Sequence, residues 1–400
     1  MTTEDKMTIE ERYKYLSRMQ RRYDQADKAE KSRLLDEMQT MTGMHRKALL
    51  RLLRHPGMAR KARRKQRGRR YSAQVDDAIR VIRETLDGIC PERLTPALPE
   101  MARHLARFGE LQVTDSLLQE LGTISVATVG RIVQRITQDE PRLPQRRGRP
   151  RYAPGVAAQI PTRVIPWDER EPGHFEVDSL VHCDGDVSGD HVWTLQMIDV
   201  ATAWSERVAV FGRGEQEVAA GFVTIVSRCP FPILEVHAAP IAPPHNGPEF
   251  MNAHLYRFFG QLLSGVQWSR SRPYHKNDNR MVEQKNSTLV RAYLGHLPLR
   301  SRQQRDLLND LYGDMWLYYN FFQPVLRQVA KTTIITPAGI AHTQRQHDQA
   351  KTPLQRLLET QILPPDRSQA LDDIYRMITP RELRRTIDTK LQAIFRTART

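Results

Sequence analysis

Apolar residues recur at helical spacing from the start of the chain: Tyr13, Leu16, Met19 and Tyr23, then Leu34, Leu35 and Met38. That period predicts two amphipathic helices, the second over Lys31–Met41. Thr42-Gly43 interrupts the pattern, and Arg46–Arg54 follows as a basic amphipathic helix. Helix, short glycine turn, basic helix is the helix-turn-helix plan, whose second helix can enter the major groove of DNA. A plain helical hairpin has the same pattern. On the first reading Arg46, Lys47 and Arg51 face DNA. The plan repeats within a second helical stretch, Val75–Ile136. There Leu117–Leu121 is followed by Gly122-Thr123-Ile124 and by Ser125–Val133. Ser125 is the expected N-cap. Val126, Val129 and Ile132 are expected to face inward, and Thr128 and Arg131 outward toward DNA.

From Val164 the period changes to two. His174–Val181, His191–Asp199 and Ser205–Val210 read as strands of an antiparallel meander, with turns at Asp184-Gly185 and Asp199–Thr202. A helix over Glu215–Ser227, a strand over Ile233–His237 and a helix over Met251–Leu263 follow. Then come a short strand over Val266–Ser269 and a helix over Asn279–Leu294 closed by Gly295. The order βββαβαβα is the ribonuclease-H-like order. Beyond it lie a helix over Asp306–Tyr319 and a segment, Phe321–Ala341, with room for one or two strands. Thr352, Pro353 and Gln355 then open another helix as cap, first residue and capping-box partner. The expected architecture is multidomain α+β. It comprises a helix-turn-helix at 1–55, a basic linker at 56–72 and a second helix-turn-helix unit at 73–140. A Pro/Arg linker at 141–163, a ribonuclease-H-like α/β core at 164–300 and a small, mainly helical C-terminal region at 301–400 complete it.

Composition sharpens this picture. The 400 residues suit several domains. There are 61 Lys and Arg against 46 Asp and Glu, a net +15, which favours a polyanionic partner such as nucleic acid. A basic enzyme of another kind has the same balance. Arg54–Arg70 holds nine Lys and Arg and no acid. Lys61, Arg63, Arg64 and Lys65 belong to this block, either an arm that neutralises phosphates or a plain linker. Pro144–Arg151 resembles an AT-hook, with Arg147 and Arg149 placed to lie in a narrow A·T-rich minor groove. A basic proline-bearing linker reads the same way. Cys90, Cys183 and Cys229 are far apart, which excludes a zinc ribbon and a disulfide framework. No apolar run approaches the length of a membrane span. The expectation is a cytoplasmic protein, nucleoid-associated when bound to DNA, with no membrane partner.

Two carboxylates carry the candidate chemistry. Phosphodiester cleavage by two Mg²⁺ ions needs hard oxygen ligands on a rigid frame. Asp178 ends an apolar strand and suits the bridging position. Glu283 stands early in a helix, after a loop rich in Asn, Lys and Arg, and suits a position on one metal. Lys276, Lys285 and Arg291 flank it, as phosphate contacts or as a solvated helix face. Asp184, Asp186 and Asp190 read as a solvated turn, and Asp199 as a turn-former with Thr202.

The segments GHFEVDSLVH, NGPEFMNAHL, SRPYHKNDNRMVEQKN and YYNFFQPVLR resemble bacterial insertion-sequence transposases of the DDE type with a retroviral-integrase-like core. KTPLQRLLE and SVATVGRIV resemble the flanking parts of the same proteins. The resemblance implies a ribonuclease-H-like fold and a Mg²⁺ or Mn²⁺ cofactor, two ions where the site is intact. It implies double-stranded DNA partners, namely the element's terminal repeats and target DNA, and a homo-oligomer on that DNA. The implied reaction is DNA cleavage and strand transfer, with Asp178 as the first catalytic acid and Glu283 as the third. The chain departs from the family at the second acid. In the family a Ser-Asp pair stands between a strand like Ile233–His237 and a segment like Asn246–Phe250. Here Ala238–His245 stands instead, with three prolines, and His245 precedes Asn246. Imidazole is a poor Mg²⁺ ligand, though acceptable to Mn²⁺. Glu235 and Glu249 are the nearby acids that would have to substitute. This departure opens two readings: a transposase, including a decayed copy, or a non-catalytic DNA-binding protein or repressor using the same helix-turn-helix arms.

Overall fold

Thr8 starts the first helix. Its hydroxyl accepts the Glu11 N–H, while the Glu11 carboxylate takes the Thr8 N–H in return. The computed structural model describes residues 7–54, 70–137, 165–166, 168–184, 189–238, 258–259, 265–270, 279–335 and 341–398. The chain divides into two compact units, Met1–Arg70 and Tyr71–Thr400.

The first unit has three helices: α1 (Ile9–Gln25), α2 (Lys28–Thr42) and α3 (Arg46–Leu53). Gly43, at φ +66°, closes α2 in the left-handed conformation and returns its N–H to Gln39. Leu16, Met19, Leu34, Leu35, Met38, Leu49 and Leu53 form its core. Leu16, Met19, Leu34, Leu35 and Met38 of the periodic pattern thus share one small helical cluster, with Tyr23 packed against it.

The second unit opens with α4 (Ala73–Thr85), α5 (Pro91–Arg107), α6 (Asp115–Thr123) and α7 (Val126–Ile136). Ser125 caps α7 by accepting the Thr128 N–H. Val129 and Ile132 are buried as expected, but Val126 is 39% exposed. It opens the helix, one turn before the packed positions.

Five strands form a mixed sheet: β1 (His174–Val181), β2 (Val192–Asp199), β3 (Ser205–Phe211), β4 (Glu235–Ala238) and β5 (Gln267–Arg270). Their spatial order is β3-β2-β1-β4-β5. β2 runs antiparallel to both β1 and β3, while β4 runs parallel to both β1 and β5. This is the arrangement that the ribonuclease-H-like order demands. Asp199 shapes the β2–β3 turn as expected, accepting from the Thr202 N–H and hydroxyl at 2.7 and 2.6 Å. Its other oxygen takes the Gly173 N–H at 2.8 Å.

The two faces of the sheet differ in chemistry. Leu195, Val208 and Val210 are covered by α8 (Glu215–Arg228). Contact is closest at Gly221, where an added Cβ would lie 2.8 Å from Val210 and 3.0 Å from Leu195. The opposite face carries Glu176, Asp178, Gln196 and Arg207 at alternating positions. Two helices cover it. The first, α9, runs continuously through an α-helical Arg280–Lys285, a π-helical Asn286–Arg291 and an α-helical Ala292–Leu294. The second, α10 (Arg302–Leu317), ends in a π turn over Tyr318–Phe322. Of the expected helix Met251–Leu263, only Phe258 and Phe259 are described, with their rings against Phe222.

The C-terminal part holds a separate hairpin, β6 (Gln328–Ile335) with β7 (Ala341–His347), and helices α11 (Pro353–Glu359), α12 (Pro365–Met377) and α13 (Pro380–Thr397). The capping box of Thr352 and Gln355 is present. Gly221→Ala should cost about 1–3 kcal/mol through overpacking, read as a lower denaturant midpoint of the full chain. An unchanged midpoint would mean that α8 can lift from the sheet freely.

Candidate active site

β1 brings two acids to one face because strand side chains alternate with period two. Glu176 is 2% exposed. One of its oxygens accepts both the Met281 N–H at 2.7 Å and the Val282 N–H at 2.9 Å. First-turn amides of a helix have no partner within the helix, and the positive end of the helix dipole lies there. Glu176 therefore caps α9 from the sheet. Burial pushes its carboxyl up to about 7, against the pull of the two amides and of nearby Arg280.

Asp178 lies two residues on and is half-buried. Its Oδ1 accepts the Ser179 N–H at 2.8 Å, and its Oδ2 accepts from the Asn286 amide at 2.7 Å. Burial, reinforced by the charge of Glu283, pushes its carboxyl up to about 7. Glu283 is exposed on α9, between the Glu176 contact at 281–282 and the Asn286 contact. The structure thus brings the two predicted acids into one electrostatic neighbourhood. Among the described residues, no group of three or more His, Cys, Asp or Glu is arranged to hold a metal ion. The donors themselves suit a hard divalent cation. Both are carboxylates, each Asp178 oxygen keeps a lone pair beyond its hydrogen bond, and a cation would relieve their mutual repulsion.

The substitute acids fare differently. Glu235 is fully buried in β4, with one oxygen 2.9 Å from His174 Nδ1 and the other accepting from Ser269 Oγ at 2.9 Å. Its register partner is His174, four strand positions from Asp178 and so roughly 13 Å away. That placement removes Glu235 from the Asp178 neighbourhood. β4 ends at Ala238, opposite Val177 and one position short of the Asp178 level. His245 and Glu249 lie outside the described residues.

The cationic candidates divide similarly. Lys61, Arg63, Arg64, Lys65, Arg147, Arg149 and Lys276 lie outside the described residues. In α3, Lys47 and Arg51 are exposed one turn apart, whereas Arg46 is ion-paired to Asp36 and donates to Ser32 Oγ. In α7, Arg131 is exposed and donates to the Ala127 carbonyl and the Thr128 hydroxyl. Lys285 is half-buried, and burial, with Arg93 and Arg207 nearby, pulls its amine down to about 7. Arg291 donates to the carbonyls of Gly295 and Val181 at 2.9 Å, which ties the end of α9 to β1.

Sequence reasoning passed over Glu176 and Asn286. The signal was present, since Glu176 shares a strand face with Asp178 and Asn286 stands three residues after Glu283 on one helix. Gln196 and Arg207 were missed too. They extend the row sideways from Asp178 by strict register. Only the strand pairing reveals that.

No family model matches this chain. The class that its fold defines is a mixed five-stranded sheet carrying acids on one face under a helix. The chain is 34% identical over 317 residues to the uncharacterized protein y4rM of Sinorhizobium fredii (strain NBRC 101917 / NGR234), covering 78% of this chain and 87% of that protein. It belongs to the family of that protein. Among solved structures, the catalytic core domain of BIV integrase is similar at 14% identity. That match covers 47% of this chain and 95% of that one, with a TM-score of 0.26. A simian T-cell lymphotropic virus intasome in complex with PP2A regulatory subunit B56 gamma is similar at 12% identity, covering 56% and 70%, with a TM-score of 0.27. Likeness at this level carries no weight here, and the fold rests on strand order and direction.

Two measurements check the site. Glu176→Ala leaves two amides without their acceptor, so hydrogen exchange at Met281 and Val282 should accelerate about tenfold or more, with the β2–β3 ladder unchanged. Equal exchange would remove Glu176 as the cap. Asp178 has a folded pKa raised above its unfolded value, so its stabilising contribution holds at low pH and is lost as pH rises through about 7. In chelator, Asp178→Asn should therefore stabilise the chain more at pH 8 than at pH 5, by on the order of 1–2 kcal/mol given its partial exposure. A pH-independent effect would contradict the burial of this carboxylate.

Proposed function

We propose that this chain is a transposase or integrase, a polynucleotidyl transferase of the DDE type acting on double-stranded DNA. The observation that carries the proposal is the coupling of Asp178 to the Glu283 helix through Asn286, with Glu176 capping that helix from the same strand. Such a frame holds two carboxylates in one neighbourhood. Asp178 and Glu283 would hold the metal. When bound, two Mg²⁺ ions supply an activated attacking oxygen and a stabilised leaving oxygen. The chain's own part is positional. Glu176 and Asn286 fix where Glu283 stands, and the exposed Lys47 and Arg51 of the first unit supply charge for DNA phosphates. The substrate in this reading is the terminal DNA of a mobile element, joined to target DNA by a homo-oligomer.

A second reading has one specific observation in its favour. Ala238–His245, where the second acid should stand, contains no Asp or Glu. A chain that keeps its DNA-binding helices but lacks that acid would act as a non-catalytic DNA-binding protein.

The test is Mg²⁺-dependent cleavage and joining of duplexes carrying the sequences that flank the gene. The unaltered chain should cleave at least about 10²–10³-fold more slowly than a version in which Ser-Asp replaces Ala238–His245. Asp178→Asn should abolish the regained activity. Equal rates before and after replacement would overturn the argument from the missing acid. Tight duplex binding with no cleavage in either form would favour the second reading.

A further inference from the structure

Among the described residues, the β6–β7 hairpin forms a two-stranded sheet of its own. Residues 343–347 are all exposed, as are Thr332 and Thr333. Successive strand residues point to opposite faces, so five consecutive exposed residues mean that neither face of β7 is covered. An isolated two-stranded hairpin is marginal in water. This one is nonetheless held firmly at its root. The Arg327 N–H donates to Asp348 Oδ1 and the Asp348 N–H to the Arg327 carbonyl, both at 2.9 Å. Arg356 of α11 donates to both Asp348 oxygens and to the Val325 carbonyl. A rigid base therefore carries an uncovered ribbon.

The composition of the ribbon is one-sided. Residues 328–347 contain Lys331, Arg345, His342 and His347 and no acid. The register sets Lys331 directly opposite Arg345. Two cationic residues thus share one register position, and residues 328–347 hold no acid to balance them. An external polyanion would balance them. The remaining positions are rich in Thr and Gln: Thr332 opposite Gln344, and Thr333 opposite Thr343. Hydroxyl and amide side chains donate and accept, which matches base edges, while Arg and Lys match phosphates and guanine. Two strands about 4.8 Å apart fit a major groove about 12 Å wide.

We infer that the β6–β7 ribbon is a DNA-reading arm that enters the major groove of a duplex, separate from the helix-turn-helix units. The inference rests on the DNA-joining proposal only for its choice of duplex DNA as the polyanion. The test uses the full chain and a fluorescein-labelled 40-base-pair mixed-sequence duplex, with anisotropy measured across a salt series. Lys331→Gln with Arg345→Gln should lower the slope of log K against log salt by about 2, one for each phosphate no longer neutralised. The same charge removal at exposed Arg103 and Arg385 should leave the slope unchanged. Wild-type chain should protect guanine N7 from methylation, and Gln344→Ala with Gln346→Ala should weaken that protection. Thermal midpoints report whether the variants remain folded. An unchanged slope and unchanged N7 protection, with the wild-type chain still binding, would overturn the inference and leave the DNA-joining proposal standing. No binding by the wild-type chain would bring down that proposal and the inference with it. A ribbon variant that changes the oligomeric state without DNA, seen by light scattering, would show that a second copy occupies the ribbon and overturn it as well.

Discussion

The geometry of the candidate site hangs on one carboxylate oxygen. Glu176 takes two first-turn amides of α9 from within the sheet. An acid this deeply buried is expensive to ionise, and the amides and the helix dipole offset that cost. Asn286 and Arg291, both beyond Glu283 along the helix, also hydrogen-bond α9 to β1. Glu283 itself is exposed on the same helix, between the Glu176 and Asn286 contacts. The π turn begins at Asn286, where the helix is drawn to Asp178. Single π turns of this kind occur often at functional sites.

The sheet divides its labour between its faces. On the α8 side, Leu195, Val208 and Val210 pack around Gly221 closely enough to exclude a methyl group. On the α9 side the row Asp178, Gln196, Arg207 runs across three strands. Gln196 and Arg207 are buried there with side-chain nitrogens that have no hydrogen-bond partner among the described residues. The Arg207 guanidinium lies over the rings of Tyr312 and Tyr319 at 5.7 and 5.3 Å, which compensates part of its desolvation. The α8 side also buries one acid, Glu206, but pairs it with Arg228 of α8 at 2.7 Å.

Helices α4–α7 belong to the same compact unit as the sheet. The Tyr318 hydroxyl donates to the Thr85 carbonyl at 2.6 Å, and the Gln323 amide donates to Leu86 at 2.9 Å. Arg384 of α13 pairs with Asp87, and His104 of α5 meets the Ile378 carbonyl at 2.8 Å. α4 and α5 are thereby fixed to the π turn after α10 and to the C-terminal helices. Whatever surface α7 presents is carried on that frame.

Much of this was legible in sequence because it depends on short-range periodicity. The first three strands, the helix Glu215–Arg228, the α9 start near Asn279 and the capping box at Thr352 all follow from alternation, helical spacing or local cap chemistry. Asp178 and Glu283 could be singled out because a carboxylate ending an apolar strand and another opening a helix are locally visible. The exposure of Val126 was not, since periodicity gives a face but not where its cover ends. Nor was the burial of Lys285, which sequence reads as a phosphate contact or part of a solvated helix face and the fold half-buries near Arg93 and Arg207. The Glu176 cap joins residues more than a hundred positions apart, and the row from Asp178 to Arg207 exists only through strand register. Local sequence sets which residues alternate and where helices begin, because those depend on neighbours along the chain. Which buried acid meets which amide depends on how strands pair and helices dock, and only the tertiary structure decides that.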